Sequence, residues 1–325
     1  MSANIFIVED EKPIITLLQY NLEKEGYKVN FAETGEEAIQ NIKKDIPDLI
    51  ILDWMLPDFS GIEVCKQIKK INEWKKSVKK NTKIFFFETP YNPHLELIDI
   101  RAVCNIAKKN KIITVVDNIF ASPVLQKPIL MGADVIVYSG TKHIDGQGRV
   151  LGGAILSSKK FKENVLKSFL RHTGPAMSPF NAWVLLKGLE TIKLRVEAQS
   201  HAALEIAQFL NKHSKVEEVF YPFLKNSSQY QLAKKQQTMG GTILSFKIKG
   251  KKKEAFKFIN KLKIFDISNN LGDTKSIVTH PTTTTHRILM EKERLELGIT
   301  ENLIRLSIGL ETVSDLRKDI ETALK

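Results

Sequence analysis

Lys142 stands in Tyr138-Ser-Gly-Thr-Lys-His-Ile-Asp-Gly-Gln-Gly-Arg149, shortly after Val115-Val-Asp-Asn-Ile-Phe-Ala121. One amine among small hydroxyl residues and glycines, following an apolar run that ends in Asp117, is equipment for holding pyridoxal phosphate. The amine meets the aldehyde, hydroxyls take the phosphate, and a carboxylate serves the ring nitrogen. Near the other end of the chain, Glu9, Asp10 and Asp53 each follow a short apolar run. Carboxylates gathered at one sheet edge repel each other and invite a hard cation such as magnesium, which would also position a phosphoryl group on Asp53. Single residues support blander readings as well. Asp117 alone could cap a helix, and Arg305 alone could be half of a surface ion pair worth little. His143, His280 and His286 fit no zinc spacing, so structural roles are expected for them.

The elements that must position these groups follow from hydrophobic periodicity. Residues 5–8, 27–31 and 49–52 read as strands. They alternate with helical patterns at 14–22, stopped by Gly26, and at 35–44. Further strands are expected at 83–87, 112–116, 134–138 and 152–156, with helices at 99–109, 159–170 and 179–210. In the last of these, Trp183, Leu186, Leu189 and Ile192 repeat with a 3.6-residue period. Beyond about residue 215 the pattern becomes α+β, with strands near 216–220, 241–247 and 303–308 and helices at 251–262 and 312–324. Alternating strand and helix imply parallel sheets whose function gathers at the carboxyl ends of the strands. The expected units are 1–70, 71–214 and 215–325.

Composition narrows the class. The 325 residues are 42% hydrophobic and 26% charged, as in ordinary globular chains. No apolar run is long enough to cross a bilayer. The N-terminus lacks the basic and apolar regions of a secretory signal, and Cys65 and Cys104 form no motif, so a reducing cytoplasm is expected. Charge is uneven: residues 1–70 hold 8 basic and 13 acidic residues, whereas the remainder holds 41 and 24. The lysines of the basic body lie mostly on polar helix faces without interleaved aromatics, which argues against nucleic-acid binding.

Two resemblances sharpen this reading. Residues 3–70 resemble the receiver domain of bacterial response regulators, through Ile7-Val-Glu-Asp-Glu11, Ile50-Ile-Leu-Asp-Trp-Met-Leu-Pro-Asp58 and Ser60-Gly61. The resemblance implies flavodoxin-like βα units, Asp53 as phosphoacceptor, and Glu9 and Asp10 as acids of a Mg2+ site. A complete receiver has two further strands carrying a Ser/Thr and a Lys, and no continuation of that pattern is visible after Lys70.

The larger body resembles the pyridoxal-phosphate enzymes of cysteine and methionine metabolism, and among them the O-succinylhomoserine sulfhydrylases. The residues that carry this are Glu88-Thr-Pro-Tyr-Asn-Pro93, the Asp117 and Lys142 stretches, Gly174-Pro-Ala-Met-Ser-Pro179, Asn269-Asn-Leu-Gly272, Thr279-His-Pro-Thr-Thr-Thr-Thr-His286 and Arg305-Leu-Ser-Ile-Gly-Leu-Glu311. The implied fold is the fold type I large domain followed by an α+β C-terminal domain.

The implied site has Lys142 as the reactive amine and proton shuttle, and Asp117 on the pyridinium nitrogen. Ser139 and Thr141 would bind the phosphate, Asn92 the ring hydroxyl, and Arg305 with Asn270 the substrate carboxylate. O-acylhomoserine and sulfide are the implied substrates, and a homo-oligomer the implied assembly. The match begins near Ile71. The part of a complete relative that supplies a stacking aromatic ring, a phosphate-binding Gly turn, and a Tyr and Arg lent to the partner subunit is therefore expected to be replaced by the receiver-like segment. A chimera of two partial α/β domains follows from this. The function expected of it is that of a pyridoxal-phosphate enzyme of the sulfhydrylase type; the alternatives are a signalling protein phosphorylated on Asp53, or a fusion without activity.

Overall fold

The computed structural model describes residues 3–34, 37, 38, 41, 47–53, 71–227 and 229–325. Most of the helix expected over 35–44 falls outside these residues, as do Trp54, Pro57, Asp58, Ser60, Gly61 and Cys65.

Strand β1 (Asn4–Val8) leads to helix α1 (Lys12–Lys24), which Pro13 enters and after which Gly26 turns with φ 84°. Strands β2 (Lys28–Ala32) and β3 (Leu49–Leu52) then flank β1 in a parallel sheet of order β2-β1-β3. Proline at a helix start sacrifices only a donor that has no intrahelical partner there. Glycine is the residue that takes a left-handed turn without a Cβ clash.

Helix α2 (Ile71–Ser77) buries Trp74 against Phe85 and Phe87, with ring centroids 4.7 and 5.3 Å away and edge-on geometry. Each such pair contributes about 0.5–1.5 kcal/mol beyond burial. Both phenylalanines belong to β4 (Ile84–Glu88). It is followed by α3 (Ile100–Lys109), β5 (Ile113–Asp117), β6 (Val135–Ser139) and β7 (Gly153–Ser157). Asp99 caps α3 by accepting from the Ala102 amide at 2.9 Å. β4, β5 and β6 run parallel in that order and β7 closes the row antiparallel. Parallel pairing puts the carboxyl ends of β4, β5 and β6 on one edge. No β-ladder joins this sheet to the N-terminal one among the described residues.

Helix α4 (Lys167–Thr173) leads to α5 (Pro179–Leu210), which is capped by Ser178 on the Asn181 amide at 3.1 Å. α5 serves both cores. Val184, Leu185, Ile192 and Val196 pack against the β4–β7 sheet, while Ala203, Ile206 and Leu210 join the C-terminal core. The stripe of Trp183, Leu186 and Leu189 lies on the other face and is exposed, and only Ile192 of that repeat is buried. The periodicity was real, but the face turned inward is the neighbouring one, where Gly188 permits close approach.

The last unit is a five-stranded sheet of order β10-β11-β12-β9-β8, built from β8 (Val216–Phe220), β9 (Ile243–Ile248), β10 (Asp266–Ile267), β11 (Ile277–Thr279) and β12 (Leu303–Ser307). Helices α6 (Lys252–Lys261) and α7 (Val313–Leu324) cover it through Phe258, Leu316 and Ile320. The short strands β10 and β11 and the helical turns at 122–125, 230–236 and 291–296 have too few periodic residues to be read from sequence.

Candidate active site

The first requirement is that Asp117 and Lys142 share a sheet edge. Asp117 is the last residue of β5 and pairs in register with Val137 of β6; Lys142 lies in the turn that β6 feeds, three residues past its end at Ser139. The loops after the two strands are tied by His143, whose Nδ1 meets the Ile119 carbonyl at 3.0 Å and whose Nε2 meets Thr242 Oγ1 at 2.9 Å. Burial pushes the proton affinity of His143 down to about 4, so a neutral ring bridges the two contacts. The structural role expected of His143 is found.

The loop is a helical turn over Gly140–Ile144, broken at Lys142 itself (φ −88°, ψ −124°). The break is compatible with projecting one side chain away from the helical path. Gly188 of α5 lies against the loop, and a Cβ there would press into the Ile144 carbonyl. Gly188→Ala is therefore expected to cost about 1–3 kcal/mol of stability and to displace the lysine loop. A urea melt, together with cofactor retention, measures both.

Around Lys142 the polar contacts form a continuous chain. Its Nζ donates to Asn270 Oδ1 at 2.5 Å. The Asn270 carbonyl accepts from Arg305 Nη2 at 3.1 Å, and that nitrogen also serves the Asn269 carbonyl at 3.1 Å and Thr279 Oγ1 at 3.3 Å. Arg305 Nη1 donates to Asn92 Oδ1 at 2.8 Å. The backbone amide of Asn92 in turn donates to the Glu88 carboxylate. Glu88 is the last residue of β4 and sits directly opposite Asp117 in the parallel ladder. Lys142, Asn270, Arg305 and Asn92, expected from sequence to act together, are thus brought together. Glu88, Asn269 and Thr279 stand within the motifs, but no role is expected of them from the sequence. A carboxylate closing an apolar strand beside another such strand was the signal for Glu88.

Electrostatics suit chemistry. Burial, then the neighbouring Arg305 charge, lowers the Lys142 ammonium below its usual range, making the free amine more available at neutral pH. Asp117 is raised to about 6 by burial, against a 3.0 Å hydrogen bond from the Ile119 amide that favours its charge. Arg305 is 1% exposed and lowered to about 10 by burial. Its Nε is buried and has no hydrogen-bond partner among the described residues, a donor waiting for an acceptor.

These residues fit pyridoxal phosphate. The set holds an amine of lowered proton affinity, a carboxylate on the same edge, and Ser139 and Thr141 half-buried beside the amine. Asn92, its oxygen taken by Arg305, keeps its amide donors for an anionic oxygen. His280 and His286 are buried in hydroxyl contacts, with His280 Nδ1 meeting Thr283 Oγ1 at 2.8 Å and His286 Nδ1 meeting Thr285 Oγ1 at 2.8 Å.

In the N-terminal sheet, β1 and β3 are neighbours, and carboxylate oxygens of Glu9, Asp10 and Asp53 lie within 4.8 Å of one another. Glu9 Oε1 also accepts from the Glu11 amide at 3.1 Å.

The family model for Cys/Met metabolism PLP-dependent enzymes matches residues 50–325, beginning within the segment whose motifs resemble a receiver. The chain is 49% identical over 279 residues to O-succinylhomoserine sulfhydrylase of Mycobacterium tuberculosis, covering 85% of this chain and 69% of that protein. The enzyme of the same name from Pseudomonas aeruginosa is 43% identical over 265 residues, covering 81% of this chain and 66% of that protein. Among solved structures, metB from Corynebacterium glutamicum superposes with a TM-score of 0.75 at 29% identity, over 99% of this chain and 74% of that one.

Proposed function

This chain belongs to the Cys/Met metabolism PLP-dependent enzyme family, and we propose that it acts on O-succinylhomoserine, exchanging the succinyl group for sulfide to form homocysteine. The observation that carries this reading is the single run of contacts from Lys142 through Asn270 and Arg305 to Asn92. It brings the Lys142 amine and the Arg305 guanidinium together, which supports reading them as the reactive amine and the carboxylate clamp that an amino-acid substrate requires. When bound, pyridoxal phosphate supplies an electron sink for charge developing at the substrate's α carbon.

The chain's own groups do the rest. Lys142 takes the α proton and then the β proton, and returns protons after succinate has left the γ carbon and sulfide has added there. Asp117 keeps the ring nitrogen protonated, Ser139 and Thr141 donate to the phosphate, and Asn92 donates to the ring oxygen. Arg305 holds the substrate carboxylate through a fork that a lysine would match poorly. Purified protein given the cofactor is expected to develop a visible absorbance band and to release homocysteine from O-succinylhomoserine and sulfide. No band at saturating cofactor would overturn this reading.

No helix among the described residues is long and apolar enough to cross a membrane. Leu151, Phe180, Trp183, Leu186 and Leu194 are exposed near β7 and along α5. A patch of that kind suits a subunit contact, so we expect a homo-oligomer by sedimentation.

A second reading is favoured by one observation, the gathering of Glu9, Asp10 and Asp53. It is a receiver-like segment in which Mg2+ and a phosphoryl group on Asp53 would sit at the β1/β3 edge, the chain being a chimera of two partial domains. Incubation with acetyl phosphate and Mg2+ is then expected to give acid-labile phosphate that Asp53→Asn lacks. Equal labelling of both proteins, or none, would exclude it.

A further inference from the structure

Two acids at one sheet edge pose a problem that the proposed chemistry leaves open. Glu88 and Asp117 occupy the same register on adjacent parallel strands, so their side chains emerge side by side on the same face. Asp117 must carry negative charge to serve a protonated ring nitrogen. A second full charge beside it, in a half-buried site, would be opposed both by desolvation and by repulsion.

Glu88 also connects to the substrate-binding side. Its carboxylate accepts from the Asn92 amide, Asn92 Oδ1 accepts from Arg305, and the Arg305 charge reaches Glu88. Arg305 itself has no carboxylate within salt-bridge distance among the described residues, and its Nε has no hydrogen-bond partner. A buried guanidinium without a counter-ion is costly unless a ligand supplies one.

We propose that Glu88 governs whether Arg305 is open to a carboxylate ligand: as the neutral acid it leaves the guanidinium uncompensated, and as the anion it becomes the internal counter-ion that competes with the ligand. Glu88 is a positioning residue in this scheme, acting through Asn92 and Arg305. The inference rests on the reading of Arg305 as the substrate-carboxylate site. The charged groups that act on Glu88 are Asp117 at the end of β5 and Arg305 on β12. His286 is held at about 3 by burial, then by Arg305 and His94, and so stays neutral throughout. Glu88 is pushed up to about 8 by burial, then by Asp117. Its ionised fraction therefore grows as pH rises through the weakly alkaline range, where Asp117 is already charged and Arg305 still protonated.

The test uses the full chain labelled with 13C at glutamate carboxyls. One resonance, missing in Glu88→Gln and also in Glu88→Asp should the amide disturb folding, is expected to titrate between about pH 7 and about pH 9. With propionate as the carboxylate probe, wild-type affinity is expected to fall roughly tenfold from about pH 6.5 to about pH 9, below the range in which Arg305 loses its proton, and to stay flat in Glu88→Gln over the same interval. A Glu88 carboxyl titrating in the ordinary range near 4.3, or an equal fall in Glu88→Gln, would overturn the proposal. Propionate binding that survives Arg305→Ala would instead overturn the assignment of Arg305, and the carboxyl titration still decides the protonation of Glu88. Formation of the visible band reports separately on the cofactor.

Discussion

Replacing Lys142 with alanine is expected to abolish the visible absorbance of the cofactor-loaded protein and to lower homocysteine formation about 10³-fold or more. Removing a single positioned proton-transfer group costs typically 10²–10⁴-fold, and in the proposed function the same nitrogen would also meet the aldehyde. The residue sits where the backbone departs from the helical path, with its Nζ on Asn270, so the loss is chemical and the loop keeps its tie through His143. Far-ultraviolet circular dichroism should be unchanged. Lys142→Arg is the informative companion, because it keeps positive charge near Asn270 and cannot condense with an aldehyde at neutral pH. A variant of either kind that retained the band would show that another amine takes the cofactor.

Arg305→Lys is expected to raise KM about 100-fold, or about 2.7 kcal/mol, with a smaller change in kcat. The guanidinium meets four acceptors through two nitrogens and keeps Nε in reserve. An ammonium offers three donors from one point and cannot reproduce that fork. Arg305→Ala should add a loss of stability, because it strips partners from the Asn269 and Asn270 carbonyls, and each hydrogen bond to a charged group contributes about 1.5–3 kcal/mol. Steady-state kinetics together with thermal melts separate the two effects. An unchanged KM in both variants would remove Arg305 from substrate recognition.

Much of the site could be read from sequence because its residues sit at the ends of strong apolar runs. Asp117 and Lys142 each follow such a run, and β5 and β6 formed within a residue of where they were expected. Arg305 was legible only through its motif, since an arginine inside an apolar strand has no local pattern that says what it faces. Glu88 closes an apolar run, and nothing local to that run assigns it a role. Its meaning comes from the register of β4 against β5, a relation between strands that no single segment carries. For α5 the 3.6-residue repeat gave the helix and pointed to the wrong face. Trp183, Leu186 and Leu189 stay outside, while Val184, Leu185, Gly188 and Ile192 turn inward. The acids of the N-terminal segment were expected on strands one and three, and they do converge there.

Arg305 rides on the C-terminal sheet, whereas Asn92 and Lys142 ride on the β4–β7 unit, and the contacts between them cross the gap. A molecule seated between them would stitch the two layers together as it binds. Amide hydrogen exchange along β12 and through 88–93 should therefore slow in concert, at one ligand concentration, although these segments lie more than two hundred positions apart in the chain.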